Sequence, residues 1–231
     1  MIFADRYQAG QELASSLSRF RHENPIIIAL PRGGVPIGYE VALALDAPLE
    51  VVVSRKLGAP FAPEFGFGAI APGARVVDAT SVSMLGLSSA EVEAIVAKQT
   101  KELQRREALF HGTVSPIDVS GRTVIVVDDG LATGVTARAA IASLRTRSPK
   151  KIIFAAPVCA PDSADTLREL ADEVICISEP PGFASVGTWY ENFAQTTDEE
   201  ALELLEKARR RTPAPTVRTK QEAKPQEGKS L

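Results

Sequence analysis

The stretch Val124-Ile-Val-Val-Asp128-Asp129-Gly130-Leu131-Ala132-Thr133-Gly134-Val135-Thr136 sets two adjacent carboxylates between a β-branched run and a threonine-glycine turn. In an open parallel sheet, ligands bind beyond the carboxyl ends of strands. A helix start there offers unpaired N–H groups and roughly half a positive charge to an anion. Ala132, Thr133, Gly134, Val135 and Thr136 therefore read as a phosphate cradle. Gly134 lets the backbone approach a ligand closely, and the two threonine hydroxyls can donate to phosphate oxygens. Two acids just ahead of such a cradle suit a molecule with neighbouring hydroxyls near its phosphate, and a ribose 5-phosphate fits. An Asp-Asp pair alone is more simply a solvated turn; the order strand, acid pair, Thr-Gly-x-Thr argues against that. Two other phosphate motifs fail. There is no Gly-x-x-x-x-Gly-Lys, and Gly66-Phe67-Gly68 lacks the third glycine of a dinucleotide fingerprint, so neither an ATPase nor a dehydrogenase is supported.

Two more segments offer positive charge at strand ends. Pro31-Arg32-Gly33-Gly34 follows the apolar run Pro25–Leu30 and opens a helix. Arg32 supplies a fixed charge with forked donors, and the glycines expose backbone N–H groups. Arg55-Lys56 follows Val51-Val-Val-Ser54. Each would be an ordinary turn or a solvated pair in isolation. Three strand ends converging on one polyanion favour the functional reading.

The elements that must position these groups follow from periodicity. Pro25–Leu30, Leu49–Ser54, Val124–Val127, Ile152–Val158 and Val174–Ser178 are short apolar runs that predict strands buried on both faces. Helical stretches at Val35–Leu45, Val135–Leu144 and Ser163–Ala171 alternate with them, giving βαβ units and a parallel sheet in an α/β fold. Ahead of these, Ala9, Leu13, Leu17 and Phe20 predict a surface helix from Asp5, its N-cap, to about Arg21. Ser88–Glu91 is a capping box opening a long amphipathic helix that ends at Gly112 and interrupts the rhythm. Packing on the sheet is its plainer role, a homodimer interface the alternative. His22 and His111, at helix ends, read as solvated histidines.

VIVVDDGLATGVT resembles the phosphoribosyl-pyrophosphate (PRPP) motif of type I phosphoribosyltransferases. Gly130 departs from the pattern, since a bulkier aliphatic residue is more usual there. The Pro31–Gly34 segment is similar to the family's pyrophosphate loop, and Arg55-Lys56 to the pair that precedes its mobile catalytic loop. Leu57–Gly68 would then be a water-excluding lid. The resemblance covers about residues 25–178 and is strongest to a bacterial group of phosphoribosyltransferases with unestablished acceptors. It implies a mostly parallel central sheet flanked by helices, with a small hood, and transfer of the phosphoribosyl group of PRPP to a nitrogenous base. Asp128, Asp129, Arg32 and Lys56 would be catalytic. Arg32, Gly33, Gly34, Arg55, Lys56, Asp128, Asp129 and residues 132–136 would bind PRPP. Magnesium would be held by Asp128 and Asp129 indirectly, through water or ribose hydroxyls. The hood would span about 179–196, with Trp189, Tyr190 and Phe193 as candidate base contacts; an apolar cover over the core explains those aromatics at least as well.

The chain has 231 residues and a formal net charge of −3. There is no global positive field to draw it to nucleic acid or anionic lipid. Residues 1–211 suit one domain, whereas 212–231 carry three prolines and charges of +4 and −2 and read as a disordered tail. Cys159 and Cys176 read as separate small core hydrophobes rather than a disulfide or zinc framework. The charged N-terminus is unlike a signal peptide, and no apolar run reaches membrane-spanning length, so a cytoplasmic protein is expected. Two further functions use the same cradle: a regulator that senses PRPP or a nucleotide without turnover, and a phosphoribose hydrolase, for which no nucleophile or base is evident.

Overall fold

A computed structural model describes residues 2–112 and 116–211. The expected tail, 212–231, lies outside the described residues. A central sheet takes the order β2-β1-β6-β7-β8, built from β1 (Ile26–Ala29), β2 (Leu49–Val51), β6 (Thr123–Val127), β7 (Lys151–Val158) and β8 (Glu173–Ser178). All four pairings are parallel. Four of its strands are buried on both faces, which is why they read as continuous apolar runs; the edge strand β8 is only half-buried, contrary to the expectation for Val174–Ser178. Ile27, Ile125 and Ile153 belong to one core cluster, and Ile28, Val126 and Phe154 to the other. The first face is covered by α1 (Arg6–Leu17), α2 (Gly34–Leu45) and α7 (Asp198–Arg211), the second by α5 (Val135–Arg145) and α6 (Pro161–Arg168). From β1 the chain passes to β2 on one side and later to β6 on the other, so a topological switch point lies between β1 and β6.

The structure adds a second sheet that the sequence pattern did not reveal. The strands β3 (Arg55–Ala59), β4 (Ala62–Ala71) and β5 (Ala74–Val77) form an antiparallel meander. Most of Leu57–Gly68, the expected lid, is hairpin, with Leu57, Ala59 and Phe67 fully buried. The strand expected over Leu49–Ser54 ends at Val51, and Arg55-Lys56 open β3 instead of trailing a parallel strand. The long helix α4 (Ser89–His111) has its capping box formed at Ser88 and Glu91, and it packs on β3 and β4. The helix α5 packs on β4 and β5. A short α3 (Ala79–Met84) links β5 to α4.

Two side-chain expectations are overturned. Cys159 and Cys176 form a disulfide, with Cα atoms 6.1 Å apart. One follows β7 and the other lies on its neighbour β8, a proximity that linear spacing conceals. His111 is not solvated. It lies against buried Glu50, with its Nδ1 3.4 Å from the carboxylate. Among the described residues, no helix is long and apolar enough to cross a membrane.

Candidate active site

The loops after β1 and β6 meet at the switch point. After β1 the chain runs through Leu30, Pro31 and Arg32, with a cis Pro31–Arg32 peptide, and enters α2 at Gly34. After β6 it runs through Asp128 and Asp129 to Gly134, which has φ +68° and caps α5. The contact between the loops is closer than side chains would allow. A Cβ on Gly33 would lie 1.9 Å from Asp129 Oδ2, and one on Gly34 would lie 2.6 Å from the Val127 carbonyl oxygen. Glycine is required here so that the anion loop can rest against the acid pair. The start of α2 thus abuts the two carboxylates, and the start of α5 follows them in the chain after Gly134. In the cradle, Ala132 and Thr133 are exposed, Val135 and Thr136 half-buried, and Gly134 buried.

Desolvation raises Asp128 well above the ordinary carboxylate range, and the neighbouring charge of Asp129 raises it further. Desolvation also raises Asp129, opposed by Arg6. The Asp128 Oδ1 accepts a 2.9 Å hydrogen bond from the Asp129 N–H. The Asp129 side chain is still 16 % exposed, so the pair remains open to a ligand.

Arg6 was not singled out by the sequence. Its Nε donates to Asp129 Oδ2 at 2.9 Å, its Nη2 lies 2.8 Å from the same oxygen, and its Nη1 donates to the Ala194 carbonyl at 2.7 Å. A signal was present: Arg6 lies three residues before Ala9 and seven before Leu13, a charge on the apolar stripe of α1.

The hood residues are assembled with the N-terminus. The Phe3 N–H donates to the Trp189 carbonyl, and the Glu191 and Asn192 N–H groups donate to the carbonyls of Phe3 and Ala4. Tyr190 is buried between Phe3 and Phe193, with ring centroids 5.5 and 5.0 Å away, and its hydroxyl donates to the Asp129 backbone carbonyl at 2.6 Å. Trp189 is half-buried, and its indole Nε1 is buried with no hydrogen-bond partner among the described residues. The departure at Gly130 also has a structural counterpart. A Cβ there would lie 2.5 Å from a methyl of Val186, so the hood occupies the space a larger residue would need.

The remaining candidates lie farther from the acid pair in their contacts. Arg32 Nη1 is 3.7 Å from Asp198 Oδ1 at the start of α7. Arg55 and Lys56 line a groove of about 600 Å³ between the β3–β4 hairpin and α4, together with Lys98 and Gln99. Arg55 Nε donates to Gln99 Oε1 at 3.2 Å. Burial, then the nearby charge of Arg106, lowers the Arg55 pKa. No residue of 31–34 or 128–136 lines this groove.

The acid pair suits a magnesium ion that keeps most of its coordination for water and substrate. Two adjacent carboxylates offer hard oxygen donors, and among the described residues no cluster of three or more acids, histidines or cysteines could hold a metal alone.

Comparison with known proteins agrees with this geometry. The family model described as "Phosphoribosyl transferase domain" matches residues 2–200. The Mycobacterium tuberculosis (strain H37Rv) protein named "Putative phosphoribosyl transferase Rv0571c" is 42 % identical over 210 residues, 90 % of this chain and 47 % of that protein. A second Mycobacterium tuberculosis strain carries a protein matched to the same extent, so the chain spans about half the length of these curated relatives. A uracil phosphoribosyltransferase of Staphylococcus haemolyticus is 42 % identical over 59 residues, 26 % of this chain and 28 % of that protein. The crystal structure of TT1426 from Thermus thermophilus superposes with a TM-score of 0.76 at 35 % identity, covering 90 % of this chain and 99 % of that one.

Proposed function

Because the chain belongs to the phosphoribosyl transferase domain family, we propose that it transfers the 5-phosphoribosyl group of PRPP to a nitrogen of a heterocyclic base, releasing pyrophosphate. The observation that supports this reading is the close approach of Gly33 to the Asp129 carboxylate and of Gly34 to the Val127–Asp128 backbone. In the reaction the base nitrogen forms a bond to the anomeric carbon. The bond from that carbon to the pyrophosphate oxygen breaks, and its electron pair leaves with pyrophosphate.

The cradle 132–136 holds the 5-phosphate with N–H groups and threonine hydroxyls, at no cost in reorganisation when the reaction occurs. Asp128 and Asp129 accept the ribose hydroxyls and orient the anomeric carbon. The Gly33 N–H and Arg32 hold the pyrophosphate, the Gly34 N–H being already donated to the Leu30 carbonyl at 3.0 Å, and Arg55 and Lys56 add positive charge from the hairpin side. When bound, magnesium would neutralise charge on the pyrophosphate, and Asp128 and Asp129 would hold it indirectly, through water or ribose hydroxyls. In the hood, the half-buried Trp189 ring offers an aromatic face for a base, while its indole N–H is buried without a partner among the described residues and Tyr190 already gives its proton to the Asp129 carbonyl. No general base is needed for a nitrogen that is already nucleophilic. A cytoplasmic setting goes with this reading.

The test is calorimetric titration with PRPP, with and without magnesium, on wild type and the Asp128→Ala/Asp129→Ala variant. Saturable binding that magnesium strengthens and the variant loses supports the donor site. Absence of binding to folded wild type at millimolar PRPP overturns it. Binding without pyrophosphate release across a panel of purines and pyrimidines would favour a PRPP sensor instead.

A further inference from the structure

Arg6 makes more specific contacts than any other buried charge near the acid pair. The residue is 9 % exposed, and it comes from α1, more than a hundred residues away in sequence from the carboxylate it meets. Nε and Nη2 converge on Asp129 Oδ2, Nη1 reaches the Ala194 carbonyl, and the guanidinium carbon sits 3.9 Å from the centroid of the Phe193 ring. A planar fork with a fixed charge can satisfy all three at once; a lysine ammonium cannot. A charge placed on an apolar helix stripe is costly unless it is paired, and this one is paired to the acid.

Asp129 is held from other directions as well. Gly33 abuts its carboxylate, and Tyr190 binds its backbone carbonyl. Without Arg6, the side chain would lose the guanidinium whose Nη2 lies 2.8 Å from its Oδ2.

We propose that Arg6 is a positioning residue of the donor site. It fixes the Asp129 carboxylate in the orientation that receives the ribose hydroxyls, and it ties that orientation to the hood through Ala194 and Phe193. The proposal rests on the phosphoribosyl-transfer reading above. It assigns the N-terminal helix, which carries none of the three anion-binding motifs, a part in binding PRPP. A purely structural pin between α1 and the hood is the competing account, and the two differ in how Arg6 and Asp129 combine. A residue that acts through Asp129 has little left to do once that carboxylate is altered, so the substitutions must be non-additive.

The experiment is a double-mutant cycle read by PRPP calorimetry in the presence of magnesium, using wild type, Arg6→Gln, Asp129→Asn and the double variant, each checked by thermal unfolding. The expected result is about a tenfold loss of PRPP affinity in Arg6→Gln, with the double variant within about twofold of Asp129→Asn alone. Arg6→Lys should recover part of the loss, because it restores charge but not the fork. If Arg6→Gln does not fold, the Arg6→Lys cycle with Asp129→Asn carries the same test. Wild-type binding with additive losses, or with Arg6 variants binding as wild type does, overturns the proposal alone. No binding by wild type would instead overturn the phosphoribosyl-transfer reading.

Discussion

The two sheets present their charged candidates in opposite ways. At the carboxyl edge of the five-stranded sheet, Asp128 and Asp129 sit against glycine backbone, under Tyr190 and beside Arg6. On the three-stranded sheet, Arg55 and Lys56 are half-buried on an open groove walled by α4, with Lys98 exposed across from them. The first arrangement fixes dipoles and acids before any ligand arrives, which is the condition for strong electrostatic stabilisation. The second supplies charge on long side chains, whose effect is screened and tolerant of displacement. Substitutions at the first should therefore act through geometry and be severe; those at the second should act through charge and be mild.

A pair of glycines puts the largest effect on that contrast. In Gly34→Ala the new Cβ would lie 2.6 Å from the Val127 carbonyl and 3.1 Å from Asp128 Cα, both backbone atoms at a strand end. Relief requires the two loops to separate. The expected cost is about 3 kcal/mol of stability, with at least tenfold weaker PRPP binding at about 1.4 kcal/mol per decade. In Gly66→Ala the Cβ would meet methylenes of Lys56 at 2.7 and 2.8 Å, which can swing aside. Less than about 1 kcal/mol is expected there, near the range for tolerated shape changes. Denaturant unfolding of both variants checks this, and equal losses would break the comparison.

Glu50 sharpens it at the seam between the regions. This β2 carboxylate is 3 % exposed and faces His111 of α4 and Arg209 of α7, with Arg209 Nη2 at 3.6 Å. Burial alone would raise its pKa, but His111, the Val51 N–H and Arg209 together hold it below the ordinary value. A depressed carboxylate contributes stability above its unfolded pKa, about 4.3, and loses it as pH falls through the folded value. Glu50→Gln should cost about 3 kcal/mol at pH 7, the low end for removing one partner of a buried pair. Its deficit relative to wild type should shrink on acidification below about pH 4.3. Urea unfolding across pH 7 to 3.5 decides; a deficit independent of pH would mean that packing, not charge, joins the regions there.

Tyr190→Phe is a smaller probe of the preorganised side. Removing the hydroxyl leaves the Asp129 carbonyl without its 2.6 Å donor while keeping the ring between Phe3 and Phe193. About 1 kcal/mol of stability should be lost, and PRPP affinity should fall only a few-fold, measured by the same unfolding and calorimetric titrations.

The legibility of the molecule follows the same division. The strand, the acid pair, the capping glycine and the helix start were readable because they are consecutive at 124–136. The parallel strands were readable because burial on both faces writes itself as an unbroken apolar run. The meander at 55–77 was not, because its small residues and glycines look like loop until α4 and α5 bury it. Arg6, the Cys159–Cys176 bond and the fit of Val186 against Gly130 each depend on a neighbour distant in sequence or in a separate element. In Arg6 alone did the pattern carry a warning, a charge where the helix stripe asks for an apolar residue.

The smallest expected effect tests the mild side directly. Lys98 is exposed on α4, lines the groove with Arg55 and Lys56, and is far from the acid pair in its contacts. If the hairpin side contributes through charge alone, Lys98→Ala should leave stability within about 0.5 kcal/mol of wild type, as for surface substitutions generally. Its effect on PRPP affinity should be about threefold or less at low salt and vanish near roughly 0.5 M, where the Debye length drops to roughly 4 Å. Reversal of the charge in Lys98→Glu should enlarge the low-salt effect without changing its salt dependence in kind. A loss that persists at high salt would mean that Lys98 touches the ligand. The groove between the hairpin and α4 would then be part of a built site, as rigidly specified as the edge of the parallel sheet.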